Sequence, residues 1–308
     1  MNFIEALENK SIDAINQFPK SDLHSHAGRG GNAKFISERT GMKIPAPPEK
    51  YESLKNMQEW FDEHVKPVCG GVEGQILRWE SCFAEAKRSN IVRLSLSFSR
   101  MDVEFVGGME RFMDILEKYH AVYCPDTVFL PELTYGRNCN VGAEAEKIDE
   151  LLLYNYFKSI DICNGEFQQP IENFKPLYRK AKMAGLTLKA HVGEFGSADD
   201  VIRAVETLEL NEVHHGVAVA TSLYAMEFLA NNKIRLNICP SSNVMLGVAK
   251  SYSEHPIKTI YHAGVPVTIN TDDLLIFNNT IGQEYLNLYC AGTLAAEELN
   301  NIRLCGLK

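Results

Sequence analysis

Short apolar runs alternate with longer segments of helical periodicity over most of this chain. The short runs are rich in aliphatic and β-branched residues, which is typical of buried parallel strands, and the longer segments repeat apolar residues at helical spacing. Eight strands are predicted, at residues 21–26, 91–98, 127–133, 159–163, 186–192, 212–218, 234–239 and 265–270. Helices are predicted between them, at residues 107–120, 143–158, 170–184, 197–208, 222–231 and 254–262.

Eight strands alternating with helices indicate an α/β protein with a (β/α)₈ TIM barrel. We expect residues 1–308 to form a single barrel, with an N-terminal helix within residues 1–20. Residues 27–90 are too long for a simple loop and contain two helical patterns, at 51–65 and 73–88. We therefore expect 27–90 to form a helical lid, inserted between strands one and two.

Polar residues that can bind a metal or move a proton stand at the ends of four predicted strands. Each of them has a structural alternative, such as a hydrogen-bonded core histidine or a helix cap. Together they predict a catalytic site, because catalytic groups of this fold collect at the carboxyl ends of the strands. They are His24 and His26, His191 and Glu194, His214 and His215, and Asp272 and Asp273.

The residue types in this set favour one metal ion. His24 and His26 are two positions apart in a strand, so their side chains share a face. Imidazoles and a carboxylate are suitable ligands for Zn²⁺ with a position left open for water. The strand at 159–163 has no lysine that could bridge a second metal, which favours a single zinc ion.

Composition and charge narrow the class of partner. The 308 residues include 40 acidic and 31 basic side chains, giving a formal net charge of −9, and no Lys/Arg-rich run is present, which argues against nucleic-acid binding. No apolar stretch reaches the length of about 18 residues that a membrane helix needs. The start of the chain does not resemble a signal peptide and the eight cysteines are scattered, so a cytoplasmic protein acting on a small molecule is expected.

Six motifs, in order along the chain, resemble those of the adenosine deaminase family, within the metal-dependent amidohydrolase superfamily. The resemblance implies a zinc-dependent hydrolase that deaminates adenosine or a closely related purine nucleoside to an inosine-type product and ammonia. The PCxxC motif of cytidine-type zinc deaminases is missing. The matching stretches are SDLHSH, DICNGE, HVGEFGSADDV, VHHGV, CPSSNV and NTDDLLIF.

The same resemblance implies a role for individual residues. Glu194 would be the proton shuttle, and His215 would orient the attacking water. Asp273 would bond N7 of a purine, and the N–H of Gly165 would bond N3, although strict register places Asn164 there. By strand alternation His214 should face away from the site and pack behind the barrel. The implied zinc ligands are His24, His26, His191 and Asp272.

One departure concerns the substrate. Adenosine deaminases have Leu-Asp-Gly after the first histidine pair, with an acidic residue that engages the ribose, whereas this chain has Ala27-Gly28-Arg29. Asn32 and residues 93–95 are instead similar to AMP deaminases. Arg29 could pair with an anion or remain solvated. A neutral nucleoside is favoured; the alternatives are AMP or another adenine compound, a different amidohydrolase reaction, and a non-catalytic purine-binding barrel.

Overall fold

Eight parallel strands are hydrogen-bonded to one another in chain order in the computed structural model, which describes residues 1–308. A bridge between Ser25 and Asp272 joins the first strand to the segment after the last, and Asp272 N–H donates to His24 O at 2.9 Å. The predicted (β/α)₈ barrel is therefore confirmed. The strands are β1 Lys20–His26, β2 Ile91–Ser99, β3 Val128–Gly136, β4 Ser159–Cys163, β5 Thr187–Val192, β6 Glu212–His215, β7 Arg235–Ile238 and β8 Val267–Ile269.

Helices surround the strands and cover one end of the barrel. Most begin at a Ser, Thr or Asn whose side chain accepts a backbone N–H of the first turn, as Ser197 and Ser222 do, which fixes where each helix starts. The helices are α1 Phe3–Glu8, α2 Ile12–Asn16, α3 Ala33–Thr40, α4 Leu54–His64, α5 Lys66–Cys69, α6 Gly71–Arg88, α7 Arg100–Phe105, α8 Met109–Tyr123, α9 Val141–Leu152, α10 Lys175–Met183, α11 Ala198–Leu208, α12 Leu223–Asn231, α13 Pro240–Met245, α14 Ile257–His262, α15 Leu274–Phe277, α16 Ile281–Cys290 and α17 Ala296–Gly306.

Several predicted elements have other bounds in the structure, and three of them differ for identifiable local reasons. The N-terminal helix predicted within 1–20 is divided into α1 and α2, because Lys10 has φ +51° and Ser11 caps a new helix. The strand predicted at 212–218 stops at His215, since Gly216 has φ +69° and a 3₁₀ turn follows at Val217–Thr221. The helix predicted at 170–184 begins as a separate 3₁₀ turn, Ile171–Phe174.

The insertion at residues 27–90 carries helices α3 to α6 and packs at the carboxyl-terminal end of the barrel. A small apolar cluster joins it to segments that follow β7 and β8: Met57 and Phe61 pack with Met245 and Leu275. The backbone N–H of Tyr51 donates to Met245 O at 2.8 Å. These contacts place α4 beside the strand ends where the candidate residues lie.

Two features of the whole chain bear on the expectations from composition. The eight cysteines all carry free thiols. None of the helices combines the length and the apolar character that crossing a bilayer would require.

The main apolar core lies between the strands and the helices around them. Polar groups occupy much of the barrel interior.

Candidate active site

A cavity of about 670 Å³ opens at the carboxyl ends of the strands. His24 is completely buried directly beneath it. Residues of α4, including Leu54 and Gln58, line the side of the cavity opposite the strand ends. The predicted site residues that line it are His26, Arg29, Gly165, His191, Glu194, His215, Asp272 and Asp273.

Three imidazole nitrogens converge at the floor of this cavity. His191 Nε2 lies 3.0 Å from His24 Nε2 and 3.2 Å from His26 Nε2. Asp272 Oδ1 is 3.5 Å from His26 Nε2 and 3.8 Å from His24 Nε2. Tetrahedral zinc, with bonds of about 2.0–2.1 Å to nitrogen, places its ligand atoms about 3.3 Å apart, so this donor set fits the ion.

Hydrogen bonds on the opposite ring nitrogens set two of the imidazoles in the tautomer that a metal requires. His24 Nδ1 donates to Asn237 O at 3.2 Å, and His191 Nδ1 donates to Asp161 at 3.0 Å. The Nε2 of His24 is therefore left with its lone pair toward the cluster. Although burial lowers the pKa of His191, the charge of Asp161 raises it to about 9, so a metal would bind its Nε2 in exchange for a proton. Burial and the neighbouring imidazoles, His214 first among them, hold the pKa of His24 well below its usual range, so its ring is neutral.

Glu194 and His215 lie together beside this cluster. His215 Nε2 is 3.6 Å from Glu194 Oε2 and 3.7 Å from Asp272 Oδ2. Glu194 Oε1 is buried and has no hydrogen-bond partner in the protein. Burial and the charge of Asp272 raise the pKa of Glu194 well above its ordinary value, which favours a carboxyl group that can carry a proton.

A second pair of polar residues fixes the ring of His215 from behind. Asn243 Nδ2 donates to His215 Nδ1 at 3.3 Å, and His255 Nε2 lies 3.3 Å from Asn243 Oδ1. Burial lowers the pKa of His255 to about 3, so this ring is neutral and donates to the amide oxygen. The sequence offers no reason to assign a role to His255. It contacts His215 only through Asn243, and the motif that contains Asn243 does not show which residues this side chain contacts.

Arg29 faces the cavity and pairs with an acidic residue of the protein. Its guanidinium lies 3.2 Å from Asp273 Oδ2 and is also hydrogen-bonded to Gln58 of α4. The other oxygen of Asp273, Oδ1, is buried and without a partner. The solvated alternative for Arg29 is therefore wrong, and the anion that it pairs with is Asp273.

Gly165 lies at the cavity wall after β4. Its backbone N–H donates no hydrogen bond within the protein. The preceding Asn164 has φ +67°, which turns the chain sharply at this point, and both residues line the cavity. Gly165 and Asn164 therefore both remain candidates for the contact with the purine ring.

His214 does not pack behind the barrel, and that prediction is wrong. Its ring is fully buried inside the barrel, with Nε2 3.1 Å from Glu132 Oε1 and its face stacked on His24 at a centroid distance of 3.9 Å. The strand alternation on which the prediction rested is lost at His215, whose φ is +62°. This left-handed residue turns both histidines toward the interior.

Two acidic residues of the DICNGE motif were not predicted to have a role. Asp161 bonds His191, and Thr134 Oγ1 donates to it at 2.9 Å. Glu166 accepts three backbone N–H groups of the loop that carries Glu194, from residues Gly193, Phe195 and Gly196 at 2.5, 2.9 and 3.0 Å. A carboxylate inside an apolar strand was the available signal for Asp161; Glu166 had none beyond its place in the motif.

Comparison with known proteins gives relatives that match almost end to end. An adenine deaminase of Crocosphaera subtropica is 30% identical over 304 residues, covering 94% of this chain and 92% of the relative. A Treponema pallidum protein that carries the provisional name adenosine/adenine deaminase is also 30% identical, over 96% of this chain and all of the relative. These relatives support a hydrolytic purine deaminase.

Solved structures with 17–19% identity share the fold. The adenine deaminase of Arthrobacter aurescens superposes with a TM-score of 0.80 at 19% identity, covering 94% of this chain and 92% of that one. An amidohydrolase of Burkholderia ambifaria, described with bound Zn, has a TM-score of 0.79 at 19% identity and covers 97% and 86%. A structure described as a complex with IMP has a TM-score of 0.78 at 17% identity and covers 96% and 93%.

The family model for adenosine deaminase matches residues 139–308, which is more than half of the chain and includes β4 to β8. The match contains the motifs that supply His191, Glu194, His215 and Asp272. Together with the near-complete alignments at 30% identity, it assigns the chain: this protein belongs to the adenosine deaminase family.

Proposed function

We propose that this protein is a zinc-dependent hydrolase that replaces the 6-amino group of adenosine, or of a closely related purine nucleoside, giving an inosine-type product and ammonia. The observation that carries the proposal is the convergence of three imidazole nitrogens and a carboxylate beside a buried Glu194 oxygen without a partner. A protein that only bound purines would have no use for a proton-carrying group at this place.

The residues that would hold one zinc ion are His24, His26, His191 and Asp272. When bound, zinc lowers the pKa of a water molecule to about 7 and so provides a strong nucleophile at neutral pH. Asp161 and the Asn237 carbonyl would keep two of the rings correctly oriented, since each accepts the Nδ1 proton of a ligating histidine.

The remaining side chains account for the protons of the reaction. Water adds to C6 of the purine, and Glu194 delivers a proton to N1, which becomes basic as the C–O bond forms. The C6–N6 bond then breaks, and ammonia leaves with one proton of the attacking water, relayed by His215 or Asp272. The other proton of that water leaves the C6 oxygen as the carbonyl forms and restores the proton of Glu194. His215 Nε2 and Asp272 Oδ2 lie 3.7 Å apart beside the cluster, so a proton can pass between these two groups without a large movement.

Ring recognition would use Asp273 Oδ1 and the free N–H of Gly165, at opposite sides of the cavity. The insertion at 27–90 would act as the lid, because Gln58 of α4 connects it to Arg29 at the mouth. Closing the lid would exclude water from the proton transfers and strengthen the electrostatic contacts inside.

A neutral substrate fits the charges of the cavity better than AMP does. The lining includes five carboxyl groups, those of Asp102, Glu166, Glu194, Asp272 and Asp273. The basic side chains on it are Arg29, which Asp273 already pairs, and Lys55, whose side chain is 87% exposed. A phosphate would therefore have to compete with Asp273 for Arg29 or bind a solvent-exposed lysine, and neither makes a strong phosphate site.

Free adenine is a second candidate, and the Arg29–Asp273 pair favours it. A carboxylate bonded to a guanidinium accepts hydrogen bonds, so the ring atom opposite Asp273 Oδ1 should carry a hydrogen. N7 of a nucleoside has none, because N9 carries the sugar. Free adenine can carry its imidazole proton on N7, and would then satisfy the buried oxygen.

One series of measurements tests both candidates. Purified protein is assayed for bound divalent metal and for ammonia release from adenosine, 2′-deoxyadenosine, AMP and adenine. Stoichiometric zinc with the highest kcat/KM for adenosine supports the first candidate, and the highest value for adenine selects the second. Absence of stoichiometric metal, or ammonia release that persists with His24→Ala, would show that the ligand assignment is wrong.

A further inference from the structure

The ring of His214 forms a flat support directly against His24. The two ring centroids are 3.9 Å apart with an angle of 26° between the planes, and both side chains are completely buried. The other imidazoles around His24 meet it edge-on, at angles of 77–88°. Among the imidazoles around His24, His214 is therefore the one whose flat face packs against the His24 ring and limits its rotation.

Hydrogen bonds on both nitrogens hold His214 in this position. Its Nδ1 accepts from Asn237 Nδ2 at 3.3 Å, so Nε2 carries the proton and donates to Glu132 Oε1 at 3.1 Å. Glu132 is itself held by Lys189 Nζ at 2.7 Å and by Ser97 Oγ at 2.6 Å. All these groups are buried and every polar atom among them has a partner, which makes the arrangement stiff.

Asn237 connects this support to His24 a second time. Its side chain donates to His214, and its backbone carbonyl accepts from His24 Nδ1 at 3.2 Å. The ring of His24 is thus fixed at one edge by the carbonyl and along one face by His214. Only its Nε2 edge remains directed at the other ligands, with His191 Nε2 3.0 Å away.

We propose that His214 is a positioning residue for the metal site, which holds His24 in its ligating orientation through ring stacking, while Glu132 and Lys189 hold His214. The proposal rests on the zinc site of the proposed function. Residues that orient metal ligands typically change metal affinity by about 10- to 100-fold when they are replaced. A loss of that size is expected when the flat ring is removed.

Two replacements of His214 separate stacking from hydrogen bonding. His214→Gln keeps an amide that can donate to Glu132 but has no ring, so zinc affinity should fall by about 10- to 100-fold while the metal-free protein stays close to wild-type stability. His214→Phe keeps a flat ring but no donor, so the metal-free protein should lose stability while zinc affinity stays close to wild type. Zinc affinity is measured by competition with a chelator, and stability by thermal unfolding of the metal-free forms.

His120→Gln is the matched control, because His120 lies outside the barrel, between Phe83 and Phe129, and donates to Thr127 O at 2.8 Å. It should leave zinc affinity unchanged. Wild-type affinity in His214→Gln, or affinities that follow the stability of the metal-free proteins across the series, would overturn the positioning role alone. A wild-type protein that binds no zinc would instead overturn the proposed function, and this role with it.

Discussion

Replacing Glu166 by glutamine should separate metal binding from proton transfer in this protein. The Glu166 carboxylate accepts three N–H groups from the loop around Glu194, whereas the zinc ligand His191 precedes that loop in β5 and is fixed by Asp161. An amide has one accepting oxygen. If that oxygen takes the place of Oε2, the bonds to Phe195 and Gly196 survive, and the amide NH₂ is left facing the N–H of Gly193.

The size of the effect follows from this count of hydrogen bonds. One bond to a charged acceptor is lost, worth about 1.5–3 kcal/mol, and a buried N–H is left without a partner at a cost of about 1–3 kcal/mol. The free energy of unfolding should therefore fall by about 2.5–6 kcal/mol, which most domains, with stabilities of about 5–15 kcal/mol, tolerate. Movement of the Glu194 carboxyl by about 1 Å should lower kcat by about 100-fold.

Urea unfolding, bound zinc and ammonia release are measured on the same preparation. We expect Glu166→Gln to keep its zinc, to be destabilised, and to lose kcat. Glu172→Gln is the control: its carboxylate bonds the exposed Arg203 on the neighbouring surface, and exposed pairs contribute at most about 1 kcal/mol. Full activity in Glu166→Gln, or loss of its zinc, would refute the idea that Glu166 acts by holding the loop of Glu194.

Other replacements test single roles. Glu194→Gln should retain zinc and substrate binding but lose turnover by orders of magnitude, and full activity would reject its role as proton shuttle. Asp272→Ala should lose metal, whereas Asp273→Ala should keep it and raise KM; metal retained in the first would contradict the ligand set. Asp161→Asn should weaken zinc binding by about 10- to 100-fold in chelator competition, and unchanged affinity would mean that it does not orient His191. Arg29→Ala should lower kcat/KM for the neutral substrate about tenfold, since one charge-assisted bond to Asp273 is lost, and a loss confined to AMP would contradict this.

The barrel and the position of the site could be predicted because both depend on local sequence patterns. Alternation of apolar runs with helical segments determines the order of strands, and the i, i+2 spacing of His24 and His26 puts both side chains on one face. The structure accordingly brings each of their Nε2 atoms within 3.2 Å of His191. Ends of elements were less predictable, since positive φ angles at Lys10 and Gly216 decide where α1 and β6 stop.

The sequence patterns do not predict contacts between segments that are distant along the chain. Glu132 and Lys189 can be buried because they form an ion pair with each other. They lie on β3 and β5, which are not neighbouring strands in the barrel, so the sequence does not show the pairing. The direction of His214 depends on one left-handed residue, His215. Nothing in the spacing of residues signals either feature, because sequence periodicity assumes regular backbone geometry and says nothing of which charges meet.

Arg29 illustrates how such a contact changes a functional conclusion. The sequence offered a solvated arginine or one that binds an anionic substituent, and the structure instead pairs it with Asp273, 244 positions away. A phosphate at Arg29 would have to compete with Asp273 Oδ2 for the same guanidinium. Since Asp273 is the residue expected to contact the purine ring, binding a phosphate there would release the group that positions the ring. Recognition of a phosphate and of the purine would therefore oppose each other at Arg29, and a neutral substrate avoids this conflict.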